Sequence, residues 1–314
     1  MISEKSSTLG QRNARFQWWL AKEIELRRGK KMWLGLRSKF EISCVVLLIA
    51  SGLVHAALFL GFDRAWEDPL SFRKATLFGL STGLTLWSCL WANSYLLESR
   101  LDPILRWTLC GSLVIEVFLI TLQTWRGELS HFNHNGIING LIESAMLLLV
   151  TIAVAIIFAL TYRAWQTANP HRCSSSIAWS IRWGLLLLSL SALIGFGITW
   201  IGQEQMTRGL SPTHFNVRGI LKFPHGAALH AIQTLAIVAW FTDRWQIVNS
   251  VRIIHYLAAA HICWLGYALY QTFAGLDRFE LSTTISLLLL AATTLCGLAS
   301  CALALYGRTK KPVA

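Results

Sequence analysis

The stretch "NGLIESAMLLLVTIAVAIIFALTYRA", residues 139–164, decides the fold class. No charged residue stands between Glu143 and Arg163. At about 1.5 Å per residue, a helix over this stretch is long enough to cross a hydrocarbon core of ~30 Å. Working outward, comparable apolar runs occupy 40–62, 74–97, 104–125, 179–202, 226–245, 251–273 and 282–306, which makes eight in all. Transmembrane strands span only ~10 residues, so runs of this length exclude a barrel. The expectation is an all-α integral membrane protein, a polytopic bundle of about eight transmembrane helices.

Composition agrees. The chain has 314 residues, of which 54% are hydrophobic and 14% charged. A soluble domain carries about 25% charged residues. The bilayer is therefore the expected partner. The organisation is a basic, amphipathic segment over 1–39, a transmembrane domain over 40–306 and a short tail over 307–314. Phe16, Trp19, Leu20 and Ile24 share one face if the first segment is helical, which suits a helix lying on a membrane surface. A disordered basic leader is the alternative. No apolar core of a signal peptide is present in it.

Lys and Arg set an expected orientation. Ten lie in residues 1–39, and ten more fall on the same side: Arg100, Arg106, Arg163, Arg172, Arg182, Arg244, Arg252, Arg308, Lys310 and Lys311. Only eight fall on the other: Arg64, Arg73, Lys74, Arg126, Arg208, Arg218, Lys222 and Arg278. The positive-inside rule puts both termini in the cytoplasm of a cell with an inner membrane, and an even helix count requires the same. The net charge of +12 is thus mostly topology and does not argue for nucleic acid. Trp107, Trp125, Trp165, Trp179, Trp183, Trp200 and Trp245 fall near expected helix ends, as an aromatic belt does. The seven cysteines form no CxxC and read as free thiols. Gly79 and Gly83 form a small-xxx-small face, and "GFGITWIG" is a second close-approach candidate.

A polar signature occurs twice. "QTWRGELSHFNHNG" (123–136) and "QMTRGLSPTHFNVRG" (205–219) share Gln-x-x-Arg-Gly followed by His-Phe-Asn-x-x-Gly. Both fall on the expected outer side, each after an outward helix, as in a parallel repeat of hairpins. Below them, ionisable groups enter the spans. His230 and Glu143 lie roughly 6 Å below the surface, His55 roughly 10 Å and Glu116 roughly 13 Å. His131, His134, His214 and His225 stand above that layer. His261 is deeper, near the middle of its span.

Four readings fit this pattern. The leading one is a haem- or metal-dependent redox role. His55, His230 and His261 are candidate ligands of a haem b, with Arg126 and Arg208 on its propionates and Glu116 and Glu143 handling protons. For a divalent metal the candidates are His131, His134 and His225, although the spacings that give metal motifs specificity are lacking. Next comes a proton-coupled transporter using Glu116, Glu143, His230 and His261, with Gln123, Asn133, Gln205 and Asn216 as neutral contacts. A lipid-modifying enzyme is the third, with His131 or His214 as general base and Arg126 or Arg208 holding a phosphate of a lipid or small-molecule ligand. In the fourth, purely structural, Gly127 and Gly209 end helices and the polar groups satisfy the backbone. Arg126, His131, Arg208 and His214 are expected to line the mouth of one shared cavity.

Overall fold

A computed structural model describes residues 35–61, 71–133, 135–166, 173–216 and 218–307. The amphipathic segment before residue 35, His134 and the tail after 307 lie outside the described residues. The helices are α1 (Lys39–Gly61), α2 (Arg73–Tyr95), α3 (Asp102–Trp125), α4 (Ile137–Gln166), α5 (Ser175–Thr207), α6 (Lys222–Leu229), α7 (Ala231–Arg244), α8 (Ser250–Phe273) and α9 (Thr284–Tyr306). A two-residue hairpin of β1 (His214–Phe215) and β2 (Gly219–Ile220) is the only sheet among the described residues. All but α6 and α7 are long and apolar enough to span a membrane, which gives seven candidate spans among the described residues. Large apolar side chains such as Leu60, Ile137, Trp200 and Leu288 face outward. The chain is a multi-pass membrane protein, and its exposed apolar surface belongs to lipid.

The expected span over 226–245 differs. It is two helices joined at His230, where φ is −94° and ψ is 7°. Two anchors to α5 explain the break. On α6, His225 Nδ1 donates to the Ser191 carbonyl at 2.8 Å, and Ser191 Oγ donates to the His225 carbonyl at 2.8 Å. On α7, Ile232 lies so close to Gly184 that a Cβ on that glycine would stand 2.8 Å from the Ile232 Cα. His230 absorbs the mismatch, and its carbonyl takes both the N–H and the hydroxyl of Thr234. By contrast α5 runs unbroken through "GFGITWIG".

Packing elsewhere follows the small residues. A Cβ on Gly79 would lie 2.6 Å from the Gly52 nitrogen, so α1 and α2 touch backbone to backbone, as the Gly79/Gly83 face predicts. The core runs from Leu48 through Leu86, Leu109, Ile157 and Leu185 to Ile232. At the edge of the bundle, α9 packs on α8 and buries only Ser286 and Ser300. All seven cysteines are free, as read from their spacing.

The end of the bundle that holds Lys39 and Gly307, called here the terminal end, is tied by charge. "SKFE" (38–41) starts α1 as a capping box. The Glu41 N–H donates to Ser38 Oγ at 3.2 Å, and Glu41 Oε2 accepts from Arg37 and Ser38 N–H groups at 2.6 and 3.4 Å. Arg106 Nε and Nη2 donate to the same carboxylate at 2.8 and 2.6 Å, with both side chains 3% exposed. The rest of the guanidinium donates to the carbonyls of Leu90 and Gly35. Asp102 pairs with Arg163 at 2.6 Å, and Asp243 on α7 accepts from the hydroxyls of Ser174, the N-cap of α5, and Ser176 in its first turn.

Removing one partner of a buried pair strands the other. Arg106→Met is expected to lower stability by about 3–5 kcal/mol, and adding Glu41→Leu should recover a large part of that loss. Unfolding in detergent measures both. A single variant as stable as wild type would show the pair to be idle.

Candidate functional site

The other end, called the repeat end, carries both polar signatures, and their first half is a helix stop. The Gly127 N–H donates to the Thr124 carbonyl at 3.2 Å, and the Glu128 N–H to the Gln123 carbonyl at 2.9 Å. The Gly209 N–H donates to Met206 at 3.0 Å and Leu210 to Gln205 at 2.8 Å. Both glycines have φ of +70°, where a side chain is disfavoured, and each completes a Schellman cap. A third helix stop, with Ala274 in place of the arginine and without the His-Phe-Asn half, is "QTFAG" (271–275): it makes the same two bonds and has the same φ at Gly275.

Two of the three glutamines clasp the loops after them. Gln123, fully buried, donates to the Leu129 carbonyl and to Asn139 Oδ1 on α4, and Arg126 donates to its oxygen at 2.6 Å. Gln271 donates to the carbonyls of Asp277 and Glu280 and accepts from Ser286 on α9 at 2.6 Å. Each ties an outgoing helix, its loop and the first turn of the returning helix into one hairpin. Among the described residues Gln205 makes no such clasp, and its buried oxygen has no hydrogen-bond partner there.

The phenylalanine of each His-Phe-Asn docks forward. Phe132 packs on Gly202 of α5, where a Cβ would come within 2.7 Å of its ring. Phe215 packs edge-on against Phe273 of α8 at 5.2 Å. Beyond that the copies diverge. In the first, Phe132 has φ of +60°, unfavourable for this residue, and the Glu143 carboxylate straps it down by accepting the N–H groups of Phe132 and Asn133 at 2.8 and 3.2 Å. In the second, the chain forms the β1–β2 hairpin and Asn216 takes the positive φ. Arg208 is exposed and pairs with Glu204 on its own helix. Arg126 likewise binds within its own turn. The two arginines and two histidines are thus engaged locally, each within its own loop or helix end.

His131 has the distinctive surroundings. Lys74, in the first turn of α2, donates from Nζ to Ser130 Oγ at 2.8 Å, and that oxygen lies 3.0 Å from His131 Nδ1. Ser130 is buried, and the Phe78 ring stands 6.0 Å from the imidazole. Lys222, at the start of α6, acts electrostatically on both Lys74 and His131, and Arg73 acts on Lys74. Burial first, then the charges of Lys74 and Lys222, push His131 down to about 3. It is neutral at pH 7.

The remaining candidates stand on other elements. His55 donates from Nδ1 to the Ser51 carbonyl at 2.7 Å and accepts the Trp125 indole N–H on Nε2 at 3.0 Å, so both ring nitrogens are in use. Its helix packs on α2 and α3. His230 is exposed at the α6–α7 joint, and His261 is half-buried on α8, which packs on α5, α6, α7 and α9. His214 is exposed and bonds the hydroxyls of Thr213 and Ser211. Glu116 is 7% exposed on α3 and makes no hydrogen bond or ion pair with any described residue. No three His, Cys, Asp or Glu among the described residues are grouped to hold a metal ion. Lys74 and Lys222 are absent from the candidates read from the sequence, and Ser130 beside His131 makes no pair by adjacency alone, since neighbours in a strand or helix point apart; here both stand in a bend. Lys74 had one visible signal, a charge inside the expected span 74–97.

No family model, no curated protein and no solved structure matches this chain.

The His131 shift fixes a pH dependence. An unfolded histidine titrates near 6.5, so between about 6.5 and 3 the unfolded chain binds the extra proton. The contribution is complete above pH 6.5 and is lost as pH falls towards 3. The wild-type melting temperature is expected to drop more steeply over that range than that of His131→Gln. Parallel curves for the two proteins would contradict the assignment.

Proposed function

We propose that this multi-pass membrane protein recognises, at its repeat end, the anionic headgroup of an amphiphilic molecule. The observation that carries this reading is the contact of Lys74 with Ser130 and the action of Lys74 and Lys222 on His131, with Arg73 and the opposing Glu143 carboxylate acting on Lys74. Cations at a helix boundary stand at headgroup depth, each attracting an anionic lipid by about 1 kcal/mol. Arg73 and Lys222 also open α2 and α6, whose first-turn N–H groups favour an anion. The excess of Lys and Arg at the terminal end supports a cytoplasmic position for both termini and an outward repeat end in a bacterial-type inner membrane. A lipid-modifying role fits this site better than haem or metal chemistry does, since His55 uses both ring nitrogens and no metal-sized cluster forms among the described residues.

Glu116 supports a second reading, proton transfer across the bilayer. A buried carboxyl without a partner inside a span is costly and marks a functional position.

Native mass spectrometry tests the first reading. The protein is expected to retain phosphatidylglycerol over phosphatidylcholine, and Lys74→Ala and Lys222→Ala each to reduce that preference about fivefold. Equal retention of the two lipids by wild type would reject it. For the second, liposomes holding wild type should pass protons and those holding Glu116→Gln should not. Equal flux removes Glu116 from that role.

A further inference from the structure

We infer that Ser130 is a nucleophile that takes an acyl group from an anionic, ester-bearing amphiphile held at the repeat end; the identity of the substrate rests on the headgroup reading above. Lys74 Nζ lies 2.8 Å from Ser130 Oγ, and that oxygen lies 3.0 Å from His131 Nδ1. An ammonium group only donates, so Lys74 occupies one of the two lone pairs of Oγ. In the tautomer of His131 protonated on Nε2, the hydroxyl hydrogen goes to Nδ1 and the relay runs from Lys74 to Ser130 to His131. A hydroxyl whose hydrogen points at a base and whose oxygen faces a cation is arranged to become an alkoxide.

The second signature provides an internal comparison. Thr213 Oγ1 lies 2.9 Å from His214 Nδ1, so a hydroxyl bonded to the following histidine is a local product of this loop sequence. There the pair is not buried, and no cation donates to Thr213 among the described residues. The first copy adds an ammonium group brought from 56 residues away and a serine only 3% exposed. Drawing a lysine partly out of water is costly.

The chemistry balances without a metal or an oxidant. Ser130 Oγ attacks the ester carbonyl carbon, and the Oγ–C bond forms as the hydroxyl proton passes to His131 Nδ1. The carbonyl π pair moves to oxygen, beside the Lys74 ammonium. Collapse breaks the ester C–O bond, and the departing alcohol takes the proton from Nδ1. Water then attacks the acyl-serine by the same route, giving its proton to Nδ1, and Ser130 leaves as the free hydroxyl with a carboxylic acid released. An anionic headgroup beside Lys222 offsets the charges that hold His131 neutral, so the substrate itself strengthens the base.

The test uses purified full-length protein in maltoside micelles with an alkyl fluorophosphonate. In that reaction the Oγ–P bond forms, the P–F bond breaks and fluoride leaves. Peptide mapping of the wild-type protein is expected to place the adduct on Ser130, a result that needs no variant to fold. Ser130→Ala should lose the adduct, while Lys74→Met and His131→Ala should slow its formation by about 100-fold. Absence of an adduct on wild-type Ser130, while a soluble serine esterase in the same micelles reacts, overturns the inference. So does an adduct of equal yield on Ser130→Ala. If Ser130 is labelled but phosphatidylglycerol is not preferred, the nucleophile stands and the headgroup reading falls. The reverse pattern removes the nucleophile alone.

Discussion

The bundle is anchored by one ion pair held out of water. Arg106 and Glu41 are each 3% exposed, and between them they reach α1, α2, α3 and the backbone at Gly35. Neither charge would be tolerated alone at that depth. Together they satisfy each other and several backbone groups, so the cost of desolvation is met by geometry that only one arrangement of three helices supplies. The capping box at Ser38 and Glu41 fixes where α1 begins, and the backbone contact of Gly52 with Gly79 fixes how closely it can lie on α2.

The two ends of the molecule use polarity differently. At the terminal end it joins helices that are distant in sequence: Glu41 with Arg106, Asp102 with Arg163, and Asp243 with Ser174 and Ser176. At the repeat end most polar bonds close within one hairpin, through Gln123 and Gln271. Lys74 reaches across from α2 into another hairpin's loop, and bonds between hairpins also join Trp125 to His55, Arg218 to Glu280 and Thr272 to the Ile220 carbonyl.

How much was legible depended on range. Apolar runs gave the seven long helices, since hydropathy is a property of each segment by itself. "SKFE" carried a readable capping box, and "QTFAG" a readable third helix stop, because both are local hydrogen-bond patterns. The break at His230 was not legible: it arises from Ser191 and Gly184 holding two halves of one segment in different registers, and neither residue is near it in sequence. The depth of the histidines along the chain was computable, but their direction was not: His55 and His225 each bond a neighbouring serine or tryptophan. The Lys74–Ser130 contact joins residues that no spacing rule relates.

The forward docking of Phe132 on α5 and of Phe215 on α8 has a consequence for how the protein is made. Each glutamine clasp can close as soon as its own hairpin has emerged from the ribosome. Each phenylalanine, however, has its seat on a helix not yet synthesised, so a finished hairpin waits with an open loop until the next one arrives. The signature then works as a latch between successive hairpins, and the polarity of translation is written into which hairpin holds the key and which holds the lock.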